Sequence, residues 1–109
     1  MRSALFNTIA RVINAGNYEI SEHAGRKPAA AGLLIERFAE RIGDSVVVEE
    51  YPKYHAGACV LCLQIDEFGR SAHLLWGIAK GTRRPAYLVT AYRPDPARWS
   101  ADYLKRRPK

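Results

Sequence analysis

The hydrophobic pattern of the chain changes its period at Gly43, and this change constrains the fold more than any other feature of the sequence. Before Gly43, apolar residues recur every three to four positions, as on one face of a helix. After Gly43 the period is two, in short runs separated by turns, as in strands. The pattern predicts an α+β domain in which helices come first and a sheet follows.

The N-terminal part of the chain predicts helices that bury one apolar stripe each. A first helix is expected over residues 4–15, with Ser3 as its N-cap and Gly16 as its stop. Pro28 breaks or kinks a second helix, and the helical pattern then resumes over residues 33–42. We expect the stripes of the first and last of these segments to pack on the same face of the sheet.

The part of the chain after Gly43 predicts four strands. Because sequential strands joined by short turns pair antiparallel, a four-stranded antiparallel sheet is expected. Asp95, followed by Pro96 at a first helical position, then predicts a short C-terminal helix. The predicted strands cover residues 46–51, 58–66, 72–79 and 86–93.

The length and composition of the chain fit one domain. A chain of 109 residues leaves no room for two independent cores, and 48% apolar with 26% charged residues is ordinary globular composition. We expect Trp76 and Trp99 to anchor the core. Residues 105–109 are rich in Lys and Arg and predict a solvated basic tail on a single domain that spans residues 1–109.

The sequence predicts a cytoplasmic protein that does not enter a membrane. No run approaches the roughly 18–20 apolar residues that span a bilayer, and the N-terminus is too polar for a secretory signal. The two cysteines, Cys59 and Cys62, cannot form a disulfide framework, which suits a reducing compartment.

The cysteines also spell a C-x-x-C motif, which elsewhere indicates redox chemistry or zinc. Here the motif falls in a predicted strand, where positions three apart point to opposite faces. No second cysteine pair exists to complete a zinc site. We therefore expect a structural role, with Cys59 on the core face of the sheet, and neither a metal nor a cofactor.

The charge of the chain indicates a polyanionic partner. There are 17 Lys and Arg against 11 Asp and Glu, which gives a net charge of +6. Such a surface favours RNA, DNA or an acidic protein. The alternative is a soluble protein whose surplus arginines are merely solvated.

The predicted strand registers bring three polar side chains into a row. If Glu67 and Arg70 flank a two-residue turn, Gln64 faces His73, and if Ala79 faces Ala86, His73 faces Tyr92. Gln64, His73 and Tyr92 would then cross one face of the sheet. A slip of one residue in either register would destroy the row.

These residue types suit RNA cleavage without a metal. The ribose 2′-hydroxyl must lose a proton, the 5′-oxygen must gain one, and cations must hold the charge of the phosphorane. Histidine suits both proton transfers, so His23 and His73 are candidates for base and acid, while Tyr92 can orient the phosphate or donate a proton. Each residue also has a structural interpretation, since His23 follows the helix cap Ser21 and the other two suit a packed sheet.

Several short segments, in order along residues 18–103, carry a resemblance to a known family. The chain resembles the bacterial family catalogued as domain of unknown function 4258. The segments are Ile20-Ser21-Glu22-His23-Ala24, Glu50-Tyr51-Pro52, Gly57-Ala58-Cys59, Asp66-Glu67-Phe68-Gly69-Arg70 followed by His73, and Thr90-Ala91-Tyr92-Arg93-Pro94-Asp95-Pro96-Ala97-Arg98-Trp99.

The resemblance implies a layout and a function. Members of the family resemble small toxins of the RelE/MqsR/BrnT kind and are often encoded beside a zinc-finger antitoxin of the MqsA type. This implies a toxin-like endoribonuclease of a toxin–antitoxin pair, with RNA and an acidic or zinc-finger antitoxin as partners. The candidate catalytic residues are then His23, His73, Tyr92 and Gln64, and the candidate RNA-binding residues are Arg70, Arg83, Arg84, Arg26 and Lys27.

One segment departs from the family pattern. Where the family's helix after the His-Ala pair continues with charged residues, this chain has Pro28-Ala29-Ala30-Ala31-Gly32. If those charges bind phosphate, Arg26, Lys27, Arg37 and Arg41 are the residues that would replace them. The departure favours the alternative that the protein is a degenerate, non-catalytic module that binds RNA or protein.

Overall fold

In a computed structural model, which describes residues 3–20 and 33–108, the chain forms a mixed five-stranded sheet with two α-helices packed on one face. The α+β class and the order of the elements after Gly43 are as predicted. The helices are α1 (Ala4–Asn14) and α2 (Ile35–Glu40), with a 3₁₀ turn at Ile42–Asp44, and the strands are β1 (Tyr18–Ile20), β2 (Val46–Tyr51), β3 (Cys59–Ile65), β4 (Ser71–Ile78) and β5 (Ala86–Tyr92).

Helix α1 forms where the sequence predicts it. The Ser3 hydroxyl accepts a hydrogen bond from the Phe6 amide at 3.0 Å, which caps the N-terminus. Gly16 follows the helix with a φ of +82°, a left-handed conformation that suits glycine at a helix end. The buried stripe comprises Phe6, Ile9, Ala10 and Ile13.

Helix α2 is shorter than the predicted segment over residues 33–42. Its N-cap, Leu34, has no side-chain oxygen to satisfy the first amides, and its side chain is 57% exposed. In contrast to Leu34, four apolar residues of this segment are buried: Leu33, Ile35, Phe38 and Ile42. The second predicted helix, with its break at Pro28, lies outside the described residues.

The sheet has one strand more than predicted, and one of its pairings is parallel. The order is β1-β5-β4-β3-β2, and β2 to β5 form the expected antiparallel succession. Strand β1 adds to the other edge, parallel to β5, with Tyr18 opposite Ala86. The prediction of a four-stranded, purely antiparallel sheet is therefore corrected. With three residues, β1 is too short to show a period of two, and a parallel pairing has no tight turn by which the sequence could indicate it.

The register between β3 and β4 differs by one residue from the predicted register. Leu63 faces His73, and Gln64 faces Ala72. The cause is the turn, in which the Asp66 amide donates to the Arg70 carbonyl at 2.8 Å, so the loop holds three residues rather than two. Between β4 and β5, His73 faces Tyr92 as predicted, although a bulge after Leu75 shifts the register for the rest of the strand pair.

The sheet is covered on both faces. The helices bury one face, where the apolar stripes of residues 4–13 and 33–42 join a single core, as predicted. Cys59 and Cys62 are both buried and occupy opposite faces, but Cys62, not Cys59, belongs to the helix-side core. That assignment is therefore corrected, and its cause is that the helices cover the face that carries the even-numbered residues of β3.

The C-terminal segment covers the other face without forming a helix among residues 93–108. The amides of Arg98 and Trp99 both donate to the Asp95 carbonyl in one turn, and Trp99 then pairs with Arg106 across an isolated bridge. The Arg106 guanidinium lies 4.7 Å from the Trp99 ring centre and 2.9 Å from a Glu49 carboxylate oxygen. The prediction of a short helix is thus corrected, because this segment forms a turn. The basic tail is exposed, and Arg107 donates to the Arg98 carbonyl through its amide and to the Pro96 carbonyl through its guanidinium.

Both tryptophans are buried as expected. Trp76 lies under the helices, and the Trp99 side chain points from the C-terminal segment onto His73 of the sheet. Within the described part of the chain, neither helix has the length and apolar character that crossing a bilayer requires.

Candidate functional site

His73 and Tyr92, the two predicted site residues that the structure brings together, form a polar cluster beneath the C-terminal segment, in which His73 is buried and Tyr92 is half-buried. The His73 side chain is completely buried, with Nδ1 at 3.2 Å from the Tyr92 hydroxyl and Nε2 at 2.9 Å from the Tyr103 carbonyl oxygen. Because a carbonyl only accepts hydrogen bonds, Nε2 carries the proton and donates, and in the neutral ring Nδ1 accepts from the Tyr92 hydroxyl. The Trp99 ring packs edge-on against the imidazole at 4.5 Å.

Burial favours the uncharged forms of both His73 and Tyr92. Removal of the ring from water lowers the pKa of His73, the Arg106 charge lowers it further, and the Tyr103 carbonyl and Glu49 act in the opposite direction. Burial likewise raises the pKa of Tyr92. Both ring nitrogens are engaged, so neither is free to take a proton from a ribose hydroxyl in this conformation. The geometry gives His73 a place in the packing of the C-terminal segment.

Gln64 does not join this cluster, because the observed register places it on the helix side of the sheet. Its Nε2 donates to the carbonyl oxygens of Phe38 at 3.0 Å and Arg41 at 3.1 Å. These carbonyls lie at the C-terminal end of helix α2 and also accept hydrogen bonds from the backbone amides of Arg41 and Asp44. The predicted row of Gln64, His73 and Tyr92 is therefore corrected to a His73–Tyr92 pair, and Gln64 anchors α2 to β3.

Three further predicted site residues, His23, Arg26 and Lys27, lie outside the described residues. Arg37 and Arg41, which were predicted with Arg26 and Lys27 to replace the charges of the family pattern, are both paired with carboxylates. Arg37 contacts Glu67 at 3.0 Å and Arg41 contacts Asp44 at 3.3 Å.

A groove of about 380 Å³ opens beside the turn of residues 66–70. Its charges are largely neutralised, since Arg93 at its base also pairs with Asp66, at 2.7 Å. Arg70 is the cation of this groove that forms no ion pair among the described residues. The apolar part of the lining comes from Leu34, Phe38 and Phe68. With a carboxylate beside almost every guanidinium, the groove has little surplus charge for a polyanion.

The opposite end of the sheet carries a different distribution of charge. There the β2–β3 loop (residues 52–58) and the β4–β5 loop (residues 79–85) lie together, joined by a hydrogen bond from the Lys80 amide to the Ala56 carbonyl at 3.0 Å. We call these two loops the basic loop pair. They contain four exposed cations and no acidic residue. None of the four forms an ion pair among residues 3–20 and 33–108; they are Lys53, Lys80, Arg83 and Arg84.

The basic loop pair also carries aromatic rings. Tyr54 is 45% exposed, and its ring lies 4.5 Å from that of His55 at an angle of 39°. The pKa of Tyr87, at the start of β5, is raised mainly by burial, and Cys59 and then Tyr54 raise it further. This is the arrangement of cations with interleaved aromatics that is typical of nucleic-acid surfaces.

Sequence reasoning found only half of the cations in the basic loop pair. It predicted Arg83 and Arg84 as RNA-binding residues, and they lie at the end of the sheet away from Arg70. It passed over Lys53, Tyr54 and Lys80. The available signal was the topology, because alternate loops of an antiparallel succession emerge at the same end, which brings residues 52–58 beside residues 79–85.

The chain gave no match to any protein-family model, curated protein or solved structure. The resemblance to domain of unknown function 4258 and the RelE-like layout therefore stay predictions. Among residues 3–20 and 33–108, no three His, Cys, Asp or Glu side chains are grouped as a metal ion would require.

Proposed function

We propose that the protein is a non-catalytic RNA-binding module that holds the phosphate backbone on the basic loop pair. The observation that carries the proposal is the set of four exposed cations without a single acidic residue in the two loops. Phosphate contacts supply most of the affinity of sequence-independent RNA binding, and unpaired Lys and Arg supply them without first breaking an ion pair. A cytoplasmic location belongs to this proposal, because RNA is the ligand.

The salt dependence of RNA binding tests this proposal. The first prediction is that replacing Lys53, Lys80, Arg83 and Arg84 together by Gln weakens binding of a labelled single-stranded RNA at least tenfold. Since each lost phosphate contact removes about 0.7 from the slope of log affinity against log salt, the slope should fall by about 2 to 3. Fluorescence anisotropy over about 50–200 mM salt measures both quantities.

A matched variant separates a specific surface from general charge. Replacing Arg11, Arg37, Arg41 and Arg70 by Gln lowers the net charge by the same amount at sites away from the basic loop pair. We expect this variant to retain most of the affinity and nearly the full salt slope. Equal losses in the two variants, or no RNA binding by the wild-type protein, would contradict the proposal.

The second candidate function is a toxin-like, metal-independent endoribonuclease with a RelE-like layout, restrained by an acidic or zinc-finger antitoxin. The contact between His73 and Tyr92 is the observation that favours it. The burial of that contact favours the binding module instead. Recovered RNA from the same binding experiment decides between them, because intact RNA supports the module and fragments ending in a 2′,3′-cyclic phosphate support cleavage by the 2′-hydroxyl.

A further inference from the structure

We infer that the basic loop pair takes single-stranded rather than double-stranded RNA, and that the ring of Tyr54 stacks on an unpaired base. This inference rests on the proposed function and adds the strandedness of the ligand. It starts from Tyr54, a large ring that is 45% exposed and directly follows Lys53 in the chain. An exposed tyrosine among unpaired cations has no role in the core to explain it.

The loop that carries Tyr54 is fixed in place. The Gly57 amide donates to the Tyr54 carbonyl at 3.0 Å, and the Lys80 amide donates to the Ala56 carbonyl at the same distance. Gly57 has a φ of +137° and lies so close to the Ile78 carbonyl that a Cβ atom would collide with it. A ring on a fixed loop loses little conformational freedom on binding, which favours its use as a contact surface.

The neighbouring groups suit a base flanked by phosphates. His55 lies 4.5 Å from Tyr54 and extends the aromatic surface, and the same two loops carry the four exposed cations. Every base has a flat face that can stack on an aromatic ring, but in a duplex these faces are stacked inside the helix. Cations alone bind duplex and single strand alike, so the aromatic rings are the feature that selects the single strand.

The second prediction concerns the variant Tyr54→Ala. Loss of one stacked base should weaken binding of a single-stranded RNA about tenfold, within the range known for base–aromatic stacking, and should leave the salt slope unchanged. Affinity for a duplex of the same sequence should not change. The conservative variant Tyr54→Phe keeps the ring and should bind the single strand like the wild-type protein.

The control is Phe68→Ala. Phe68 is 82% exposed and lies in the β3–β4 turn, at the other end of the sheet, so its loss should not affect RNA binding. This inference would be overturned if the wild-type protein bound single strand and duplex with equal affinity, or if Tyr54→Ala bound the single strand like the wild-type protein. In either case, a loss of affinity on neutralising the four cations would still support the proposed function. A protein that binds neither form of RNA would overturn both, and circular dichroism melting verifies that each variant is folded.

Discussion

At the scale of single residues, the role of a polar side chain in this sheet depends on its register. Gln64 and His73 have similar potential for hydrogen bonding. The β3–β4 turn, which is one residue longer than predicted, places them on opposite faces of the sheet. Gln64 then serves the end of a helix, and His73 serves the C-terminal segment. Neither role can be derived from residue type alone.

The third prediction concerns the stability of the folded protein against pH. Because burial lowers the pKa of His73, the folded state keeps the ring neutral, whereas the unfolded chain binds a proton as the pH falls through about 6.5. The free energy of unfolding should therefore decrease as the pH falls from about 7.5 to 5. Glu49 acts against this effect, and Arg106 adds to it.

Urea denaturation of the wild-type protein and of His73→Gln over this pH range measures the effect. The variant should be less stable at pH 7.5 by about 1–3 kcal/mol, because buried partners lose hydrogen bonds, and its stability should depend less on pH. An identical pH dependence of the two proteins would show that His73 does not titrate on unfolding.

At the scale of elements, helix α2 depends on the sheet for its C-terminal end. It has only six residues, lacks a side-chain N-cap and would not persist alone. The Gln64 amide reaches across from β3 and is a second donor to the Phe38 and Arg41 carbonyls, which also accept from backbone amides. Tertiary hydrogen bonds thus add to the local backbone bonds at the C-terminal end of α2, while its N-terminus lacks the side-chain cap that Ser3 gives α1.

The fourth prediction compares Gln64→Met with Gln64→Glu. The first variant removes both hydrogen bonds from the Gln64 amide, each worth about 0.5–1.5 kcal/mol, which should cost about 1–3 kcal/mol in the free energy of unfolding. The second places a carboxylate beside the same two carbonyl oxygens and should be the less stable of the two at neutral pH. RNA affinity should be unaffected in both, and a drop in affinity without a loss of stability would argue that Gln64 belongs to a binding site.

The elements themselves could largely be predicted, because each depends on a local pattern. Helix α1 has its cap and stripe, and β2 to β5 have alternation bounded by turns. Strand β1 could not be found, because its pairing with β5 is decided by contacts far apart in the chain. Of the basic loop pair, only Arg83 and Arg84 could be predicted, because the β2–β3 loop comes close to the β4–β5 loop only in the assembled sheet.

At the scale of the whole molecule, the sheet separates two cores. The larger lies under the helices, and the smaller is closed by the C-terminal segment through Trp99, His73 and the pairing of Arg106 with Glu49. The smaller core joins the end of the chain to strands β2, β4 and β5. It therefore contributes to global stability although it contains no helix in residues 93–108.

The fifth prediction is that Trp99→Ala destabilises the protein by about 3–5 kcal/mol, the usual cost of removing a buried aromatic ring. Trp99 is only 3% exposed and contacts both His73 and Arg106. The exposed Phe68 again provides the control, and Phe68→Ala should change the free energy of unfolding by less than about 0.5 kcal/mol. Similar, small effects in both variants would mean that the C-terminal segment adds nothing to stability.

The parallel pairing of β1 with β5 joins two segments that lie far apart in the chain. Strands β2 to β5 can assemble through contacts between neighbours, but β1 has to wait for the last strand of the sheet. Until it arrives, the whole of β5 is an open edge whose residues, Ala86-Tyr87-Leu88-Val89-Thr90-Ala91-Tyr92, include no charge. Such an edge pairs readily with other chains. Slow refolding at high protein concentration should therefore lead to aggregation through β5. Docking of α1 and β1 shortens the open edge, because β1 pairs with residues 86–88.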